Sequence, residues 1–538
     1  MESESIFVHT NETTFVTGES ILYKIYCLNN NTNQLSSISK IAYIELIDST
    51  GTSIHRSKIS LNNGVGNNEI FINTNYNTGN YKLISYTNWM QNNSKFKYFE
   101  LDIVIINPFI PYDINKNDTN KATINSSNEL TRNNDFELDL EKKKYSKREK
   151  VELNLKTTSD KFYNGNYSIS IRKIDGLKFA NNNSAQNSYK NENFEKYLNS
   201  KKIDFLPELR GELFSGKIQS NDKNSQEVEK HIALSIIGDP FDFKIVKTNK
   251  HGEFNFILNK EINNPNAFIQ ILEDNINEYN LQITEASKVK INTTFKNNLH
   301  ISNSSISDIE NRLVASQIVN AYNEKEELKI RSKEIIPFYK YNAKEYILDD
   351  YKRFPSFKET IIEIIPAVYF KEENGEYTLH IRDYVTSGDS FGKALVIIDG
   401  MLLQNVSELF NYNTSNIYKI DVINKAYSYG SKIFSGVIAI TTFEREYISK
   451  SKNILPIQIE RCISKKEFQN YNYNLDQDLT RIPDYRYQLA WEANFKMHQD
   501  SNRFIFYTSD MEGQFEISFE GFASNGEPIS IKETFEVN

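Results

Sequence analysis

Residues 394–406 read ALVIIDGMLLQNV: an apolar run, then Asp399-Gly400, then three more apolar residues. Asp-Gly is a strong hairpin signal, because both central residues of a tight turn of this kind take positive φ. Apolar runs on each side, with no polar alternation, predict strands covered on both faces. The surrounding chain is polar, so a hairpin of this character marks a packed centre.

Working outward, IYKIDVINKAYSYG (417–430) and FSGVIAITTF (434–443) follow as strand-like segments. Before the hairpin, PSFKETIIEII holds an S-x-x-E capping box at Ser356 and Glu359, with Phe357, Ile361 and Ile364 toward a core and Pro366 ending the helix soon after. A second helix is expected over 304–322, with Ile306, Ile309, Leu313 and Ile318 near one face. Elsewhere the pattern is β. Strand candidates within 5–108 are ILYKIYCL, KIAYIELI, IHRSKISL, NEIFIN, NYKLISYT and YFELDIVII, spaced as in a sandwich. FELDLEKKKYSKREKVELNLKT and NYSISIRKI form a second β segment, in which Lys142–Lys144 reads as a solvated turn or strand end. ELFSGKI, HIALSII, FDFKIVKTNKHGEFNFIL and AFIQIL make a third, with a hairpin signal at Lys250-His251-Gly252. RYQLAWEANF, RFIFYTSD, GQFEISFEGF and ISIKETFEV close the chain. Residues 113–135 offer little to bury and read as a linker or surface excursion, and 176–204 as loop.

The fold class is therefore mainly β, with tandem Ig-like sandwiches and one small α+β domain. The expected boundaries are 1–110, 111–205 with a polar linker and insertion, 206–290, 300–450 and 451–538. Length agrees: 538 residues imply several domains, and 39% apolar residues suffice for real cores. Aromatic residues at 13% lean the chain toward strands.

A net charge of −8 argues against general nucleic-acid binding, which needs a basic face. There is no run of eighteen apolar residues, hence no expected membrane-spanning helix. Cys27 and Cys462 have neither metal nor disulfide-framework spacing and read as buried small hydrophobes. MESESIFVHTNETTF has no basic stretch followed by an apolar one, so the chain is either cytosolic or written without its signal peptide.

LVIIDGMLL, IYKIDVINKAYSYG and GVIAITT together resemble the plug domain of TonB-dependent outer-membrane receptors, over about residues 343–445. Its motif positions here are Asp399, Gly400, Tyr429, Gly430, Gly436, Val437 and Ile438. In that family the plug sits inside a large β-barrel. Fewer than a hundred residues follow Phe443, whereas a full barrel needs well over about 200. Nutrient uptake is therefore not implied. HTNETTFVTGESILYKIYCLNN, with FVTGE at Phe15–Glu19, resembles a macroglobulin-type (MG2) sandwich, and the C-terminal run from LAWEANFKM has the same character. LPELRGELFSGKI with KTNKHGEFNFIL resembles a carboxypeptidase-regulatory-like sandwich. The mosaic is similar to Bacteroidetes envelope proteins with macroglobulin-like domains and an orphan plug-like domain. The resemblance implies an envelope location, periplasmic or outer-membrane associated, with the signal peptide removed.

No catalytic, cofactor or metal site is expected. The histidines, at 9, 55, 231, 251, 300, 380 and 498, form no ligand pair at helical spacing and read as surface or turn residues. Gly388-Asp389-Ser390-Phe391-Gly392 matches G-x-S-x-G, but a nucleophile elbow needs a helix after the Ser, and KALVII follows instead. Asp349-Asp350 has Lys352 and Arg353 beside it, which favours charge pairing or a turn. Thioester capture of proteases needs Cys-Gly-x-Gln; Cys27 is followed by Leu-Asn-Asn and Cys462 by Ile-Ser-Lys.

The function expected is non-catalytic protein–protein interaction in the envelope. The plug-like domain would dock an outer-membrane β-barrel protein or envelope complex made by another chain, through unusually apolar exposed faces around 399–404 and 425–434. The alternatives are a surface adhesin or glycan-binding protein and, with least support, a hydrolase of no recognisable motif. The only two Trp residues, Trp89 and Trp491, read as core rather than sugar platforms.

Overall fold

Alternating and continuous apolar runs both become strands in the computed structural model, and the molecule is mainly β with two short-to-medium helices of consequence. The structure describes the whole chain except residues 94–95, 112–134, 191–193, 199–202, 222–227, 260–261, 263, 273–275, 285–288, 290–293, 296–298, 300, 323–334, 383–392, 464–467, 469, 474–480 and 500–501. The linker reading at 113–135, His300 and the G-x-S-x-G stretch at 388–392 thus lie wholly or almost wholly outside the described residues. The chain divides into two units. One comprises 1–210, 288–328 and 463–538, and the other 211–287 and 329–462.

In the first unit, Glu4–Thr10, Ser20–Asn29 and Val65–Phe71 form one sheet, with Ser20–Asn29 central. Thr14–Val16, Phe99–Ile106, Gly79–Tyr86, Ile41–Ile47 and Ser53–Ser60 follow one another in a second. Glu4–Thr10 is buried along its whole length. Ile6, Val8, Ile25 and Cys27 share one face by register, and Phe7, His9, Lys24 and Tyr26 the other. A strand buried on both faces must be covered twice.

The second cover is another sandwich. One of its sheets runs Lys144–Tyr145, Pro528–Val537, Gly513–Phe522, Asn166–Lys173, Gln488–Phe495; the other runs Arg503–Tyr507, Lys150–Thr157, Phe136–Leu140. Segments assigned from sequence to two domains, 111–205 and 451–538, therefore contribute to the same two sheets. Asn166–Lys173 pairs residue by residue with Gly513–Phe522, from Asn166↔Phe522 to Lys173↔Phe515. One core, including Tyr167, Ile169, Ile171, Phe515, Ile517 and Phe519, joins them. Neither half closes a core alone, because each supplies only some of the strands of each sheet.

The helix Ile306–Tyr322 belongs to this unit; Ile309 is buried as expected and Leu313 packs partly buried on the same core, but the buried face is wider than expected and leaves Ile306 out. Ile306 is exposed, and the buried positions are Ile309, Arg312, Ala315 and Ser316. Arg312 decides the difference. It donates to Glu19 Oε2 at 2.5 Å and to the Thr14 carbonyl at 2.8 Å, and lies 3.5 Å from Asp175. Arg172 holds the other Glu19 oxygen at 2.6 Å. Burial alone would push the Glu19 carboxyl up, but the Arg312 and Arg172 guanidiniums hold it below its usual range. The FVTGE motif is thus the seat of a helix: Asn320 also donates to the Gly18 carbonyl at 2.8 Å. Breaking such a buried pair leaves an uncompensated charge. Arg312→Met is expected to destabilise this unit by about 3–5 kcal/mol, and Glu19→Gln added to it to recover part of the loss. Urea unfolding measures both; a single-variant loss below about 1 kcal/mol contradicts the assignment.

In the second unit, Glu253–Ile257, Leu213–Ser220 and Tyr279–Thr284 form one sheet, and Asp242–Lys247, His231–Ile236, Asn266–Ile271 and Leu455–Gln458 another. The Lys250-His251-Gly252 corner closes like a hairpin tip, Gly252 N–H to the Asn249 carbonyl at 3.0 Å. It joins the two sheets rather than neighbouring strands of one, so the hairpin expected there is a sheet-to-sheet corner. The α+β part has a five-stranded sheet in the order Lys344–Ile347, Ile417–Ile423, Val437–Thr442, Leu395–Ile398, Met401–Leu402. Phe357–Ile364 is the expected capped helix: Ser356 Oγ accepts from Glu359 N–H at 3.2 Å and donates to Glu359 Oε2 at 2.8 Å.

Candidate functional site

Leu395–Ile398 and Met401–Leu402 form the two-residue hairpin read from ALVIIDGMLL, with Ile398 opposite Met401. Asp399 (φ 51°) and Gly400 (φ 86°) supply the turn. Each sheet face then packs a different core. Val396, Ile398, Ile420, Val422, Ile438 and Ile440 join the helix Phe357–Ile364. Leu395, Ile397, Ile423, Val437 and Ala439 join Ala233, Phe243 and Ile245 of the neighbouring sandwich.

The seven motif residues converge on this second contact or its immediate frame. Gly400 lies against Phe241: a Cβ there would stand 2.5 Å from the ring. Gly430 crosses the Ile245 carbonyl, which a Cβ would meet at 2.2 Å. Tyr429 stacks on Phe243 at 5.5 Å and 6°, stacks on Phe338 at 4.0 Å, and donates its hydroxyl to the Phe243 carbonyl. Gly436 passes close to the Ile423 carbonyl and accepts from Leu395 N–H at 2.9 Å. Val437 and Ile438 pair with Leu395 and Val396 on one side and with Ile423 and Val422 on the other. Asp399 is buried and accepts from Thr442 N–H at 2.8 Å, Thr442 Oγ1 at 2.5 Å and Tyr447 N–H at 3.1 Å. Its carboxylate ties the turn to the end of the neighbouring strand.

Polar contacts complete the joint. Gln270 Nε2 donates to the Leu402 carbonyl at 2.8 Å, Leu402 N–H to Ser235 Oγ at 3.2 Å, and Gln404 Nε2 to the Ile271 carbonyl at 3.1 Å. Met401, Leu402 and Leu403 are consequently buried. The exposed apolar face expected around 399–404 is covered by the chain's own sandwich. At 425–434 only Ile433 is a large exposed apolar residue. Gly400→Ala is expected to cost about 1–3 kcal/mol, from the clash with Phe241 and from its positive φ. Asp399→Ala should cost about 2–3 kcal/mol by removing the acceptor for two buried donors and one part-buried donor. Denaturant unfolding of the two variants tests both values.

The residues with most chemical capacity lie elsewhere, in the first unit, and are buried. His9 is not a surface residue. Its Nδ1 is 2.7 Å from Ser168 Oγ and its ring lies 5.1 Å from Trp491. Burial, with Lys532 and Lys24 nearby, pushes its imidazole down to about 3. Tyr26 donates to the Glu520 carbonyl at 3.2 Å, and Lys24 Nζ to the Tyr167 carbonyl at 3.1 Å. The Glu520 carboxylate accepts from Ser530 Oγ at 2.5 Å and Ala185 N–H at 2.9 Å, and burial raises it to about 7. A His beside Ser is a familiar catalytic pair, but His9 is 1% exposed and Ser168 is fully buried, so no substrate reaches them. They are the polar joint between two sheets. Sequence reading missed it because Ser168, Ser170 and Arg172 alternate with core residues and mimic a solvent face.

This joint is pH-sensitive on two sides. Glu520 has a folded pKa above its ordinary 4.5, so its stabilising contribution is full below that value and lost as pH rises to about 7. His9 is depressed from 6.5 to about 3, so its contribution is present above 6.5 and lost as pH falls. Glu520→Gln is expected to remove an alkaline-side loss of about 3 kcal/mol, and His9→Gln to flatten the acid side. Melting temperatures of the wild type and both variants from pH 4 to 8 measure this; parallel profiles would refute it.

The remaining sequence candidates are structural. Asp349 pairs with Arg353 at 2.6 Å. His231 contacts the Ser431 carbonyl, and His380 stacks on Tyr369. Lys142, Lys143 and Lys144 are exposed and pair with Glu149, Glu533 and Glu536. Cys27 and Cys462 are buried thiols, and Trp89 and Trp491 are buried. Among the described residues no three potential ligands gather as a metal centre would require, and no helix is long and apolar enough to cross a membrane.

No family model matches the chain, and no curated protein matches it. Among solved structures it is similar to Escherichia coli alpha-2-macroglobulin activated by porcine elastase, at 9% identity and a TM-score of 0.25, covering 99% of this chain and 44% of that one. It is similar to the native conformation of the same protein at 10% identity and a TM-score of 0.26, covering 100% and 40%. Dimeric latent PorU from Porphyromonas gingivalis matches at 8% identity and a TM-score of 0.16, over 52% of this chain and 33% of that one. The chain spans less than half the length of each. Scores this low transfer no activity.

Proposed function

We propose that this chain is a non-catalytic envelope protein that works by contact with other proteins, its plug-like domain docking an outer-membrane barrel or a complex built by another chain. The observation that carries the reading is a preorganised aromatic–arginine patch on the α+β part. Phe443 is half-exposed, packs at 5.6 Å against Tyr418, and has the Arg353 guanidinium 5.6 Å above its ring. Arg353 is held by Asp349 and by the Thr414 and Ile417 carbonyls, each at 3.1 Å. Tyr351, nearby in sequence, is also exposed. Aromatic and Arg anchors with fixed rotamers are what interface hot spots are made of.

The sheet face carrying the plug-like motif is spent inside the chain, so docking on this reading uses the strand ends at Tyr418 and the exposed Phe443. The mosaic of MG2-like, carboxypeptidase-regulatory-like and plug-like segments supports an envelope setting. A photo-crosslinking residue at Tyr418, activated in native membranes, is expected to yield a covalent adduct with a heat-modifiable barrel protein. Phe443→Ala should reduce that adduct about tenfold or more. Adducts with no barrel protein, or an adduct indifferent to Phe443→Ala, would overturn the proposal.

A further inference from the structure

Lys24 stands on the polar face of the strand Ser20–Asn29, beside Tyr26 and opposite His9, and is fully buried. Two oxygens of the second sandwich receive its Nζ: the side-chain Oδ1 of Asn166, and the main-chain carbonyl of Tyr167 at 3.1 Å. Asn166 opens the strand Asn166–Lys173, where it faces Phe522 in register and is half-buried. The Tyr26 ring lies over the amine, its centroid 4.6 Å from Nζ, and packs in turn on Phe7 and Phe522 at 6.1 and 5.3 Å. A primary amine and a primary carboxamide are thus held in contact beside a cluster of aromatic rings.

Contact with Oδ1 also brings Nζ beside Cγ of the same amide, because a carbonyl carbon and its oxygen are only about 1.2 Å apart. The Tyr167 carbonyl, one residue along, holds Nζ there from a second direction. Groups fixed in this way react as though one were present at an effective concentration of up to about 10⁵–10⁸ M. Burial disfavours a charged amine, and the neutral form carries the nucleophilic lone pair. The enclosure that keeps substrate from His9 and Ser168 is no obstacle to a reaction internal to the chain.

We propose that Lys24 and Asn166 are a self-modification site, at which the folded chain forms an intramolecular isopeptide bond. The Lys24 Nζ lone pair attacks Asn166 Cγ, and an Nζ–Cγ bond forms. One proton passes from Nζ to the amide nitrogen, the Cγ–Nδ2 bond breaks, and ammonia leaves. An amine and a primary amide become a secondary amide and ammonia, so atoms and charge balance with no oxidant or co-reactant. The bond ties a strand of the first sandwich to a strand of the second, across 142 positions of chain. It is independent of the docking reading above.

The test is intact mass and tryptic mapping of the full chain, folded, held at mildly alkaline pH and then denatured. Expected in the majority of chains is a mass lower than that of the sequence by one ammonia. Trypsin should fail to cut after Lys24 and should release a branched peptide, with fragment ions placing the branch between Lys24 and Asn166. Lys24→Met and Asn166→Ala should each show the full mass of their own sequence and no branch. Should either variant not fold, the wild-type map decides alone. Wild-type chain of full mass that is cut after Lys24 would overturn the proposal. So would ammonia loss without a branch, which marks cyclisation at an Asn-Gly pair, or a branch joining any other two residues.

Discussion

A sheet that is apolar or buried on both faces has to be covered on both, and that requirement organises each unit of this protein. Backbone groups pair within the plane of a sheet, so the side chains decide what lies above and below it. In Leu395–Ile398 the alternate residues send Val396 and Ile398 to one core and Leu395 and Ile397 to another. Glu4–Thr10 does the same with a difference: one of its faces is polar and is nonetheless buried. Covering an apolar face needs only shape. Covering a polar one needs hydrogen-bond partners, which is why His9, Tyr26, Ser168 and the Glu520 carbonyl are interlocked and Lys24 donates to the Tyr167 carbonyl.

The two kinds of joint have different physical consequences. The apolar joint behind the Asp399-Gly400 hairpin is specified by close approach, with Gly400 and Gly430 allowing backbone to pass a ring and a carbonyl. The polar joint is specified by matching donors to acceptors, and its ionisable members couple it to pH. Both leave chemistry-capable residues fully occupied in holding sheets together. The exposed aromatic–arginine patch at Phe443 is of another kind, because Phe443 remains half-exposed.

Much of the local structure was legible in the residues. Each strand candidate listed within 5–108 forms, the Ser356 cap closes on Glu359, and Asp399-Gly400 turns as its chemistry demands. Glu4–Thr10 escaped notice because Ser5 and His9 interrupt its apolar pattern, although Ile6 and Val8 keep the period of two. The face of the helix Ile306–Tyr322 was legible at Ile309 and Leu313 but not at Arg312, which looks like a solvent residue until Glu19, nearly three hundred positions away, is placed beside it. The apolar stretch at 399–404 is not an exposed face, because the chain's own sandwich covers it.

By itself, then, the order of residues determined where strands, turns and caps form and that the hairpin at 394–406 needs two covers, because those are set by neighbours within a few positions and by side-chain periodicity. Tertiary structure alone decided which distant segments complete a sandwich, as when 136–173 and 488–537 share one core, and whether a polar face meets water or another sheet. The physical reason is that strand pairing uses the same backbone groups in every strand. Partner choice depends on the summed burial of whole faces, and no short stretch of sequence displays that sum.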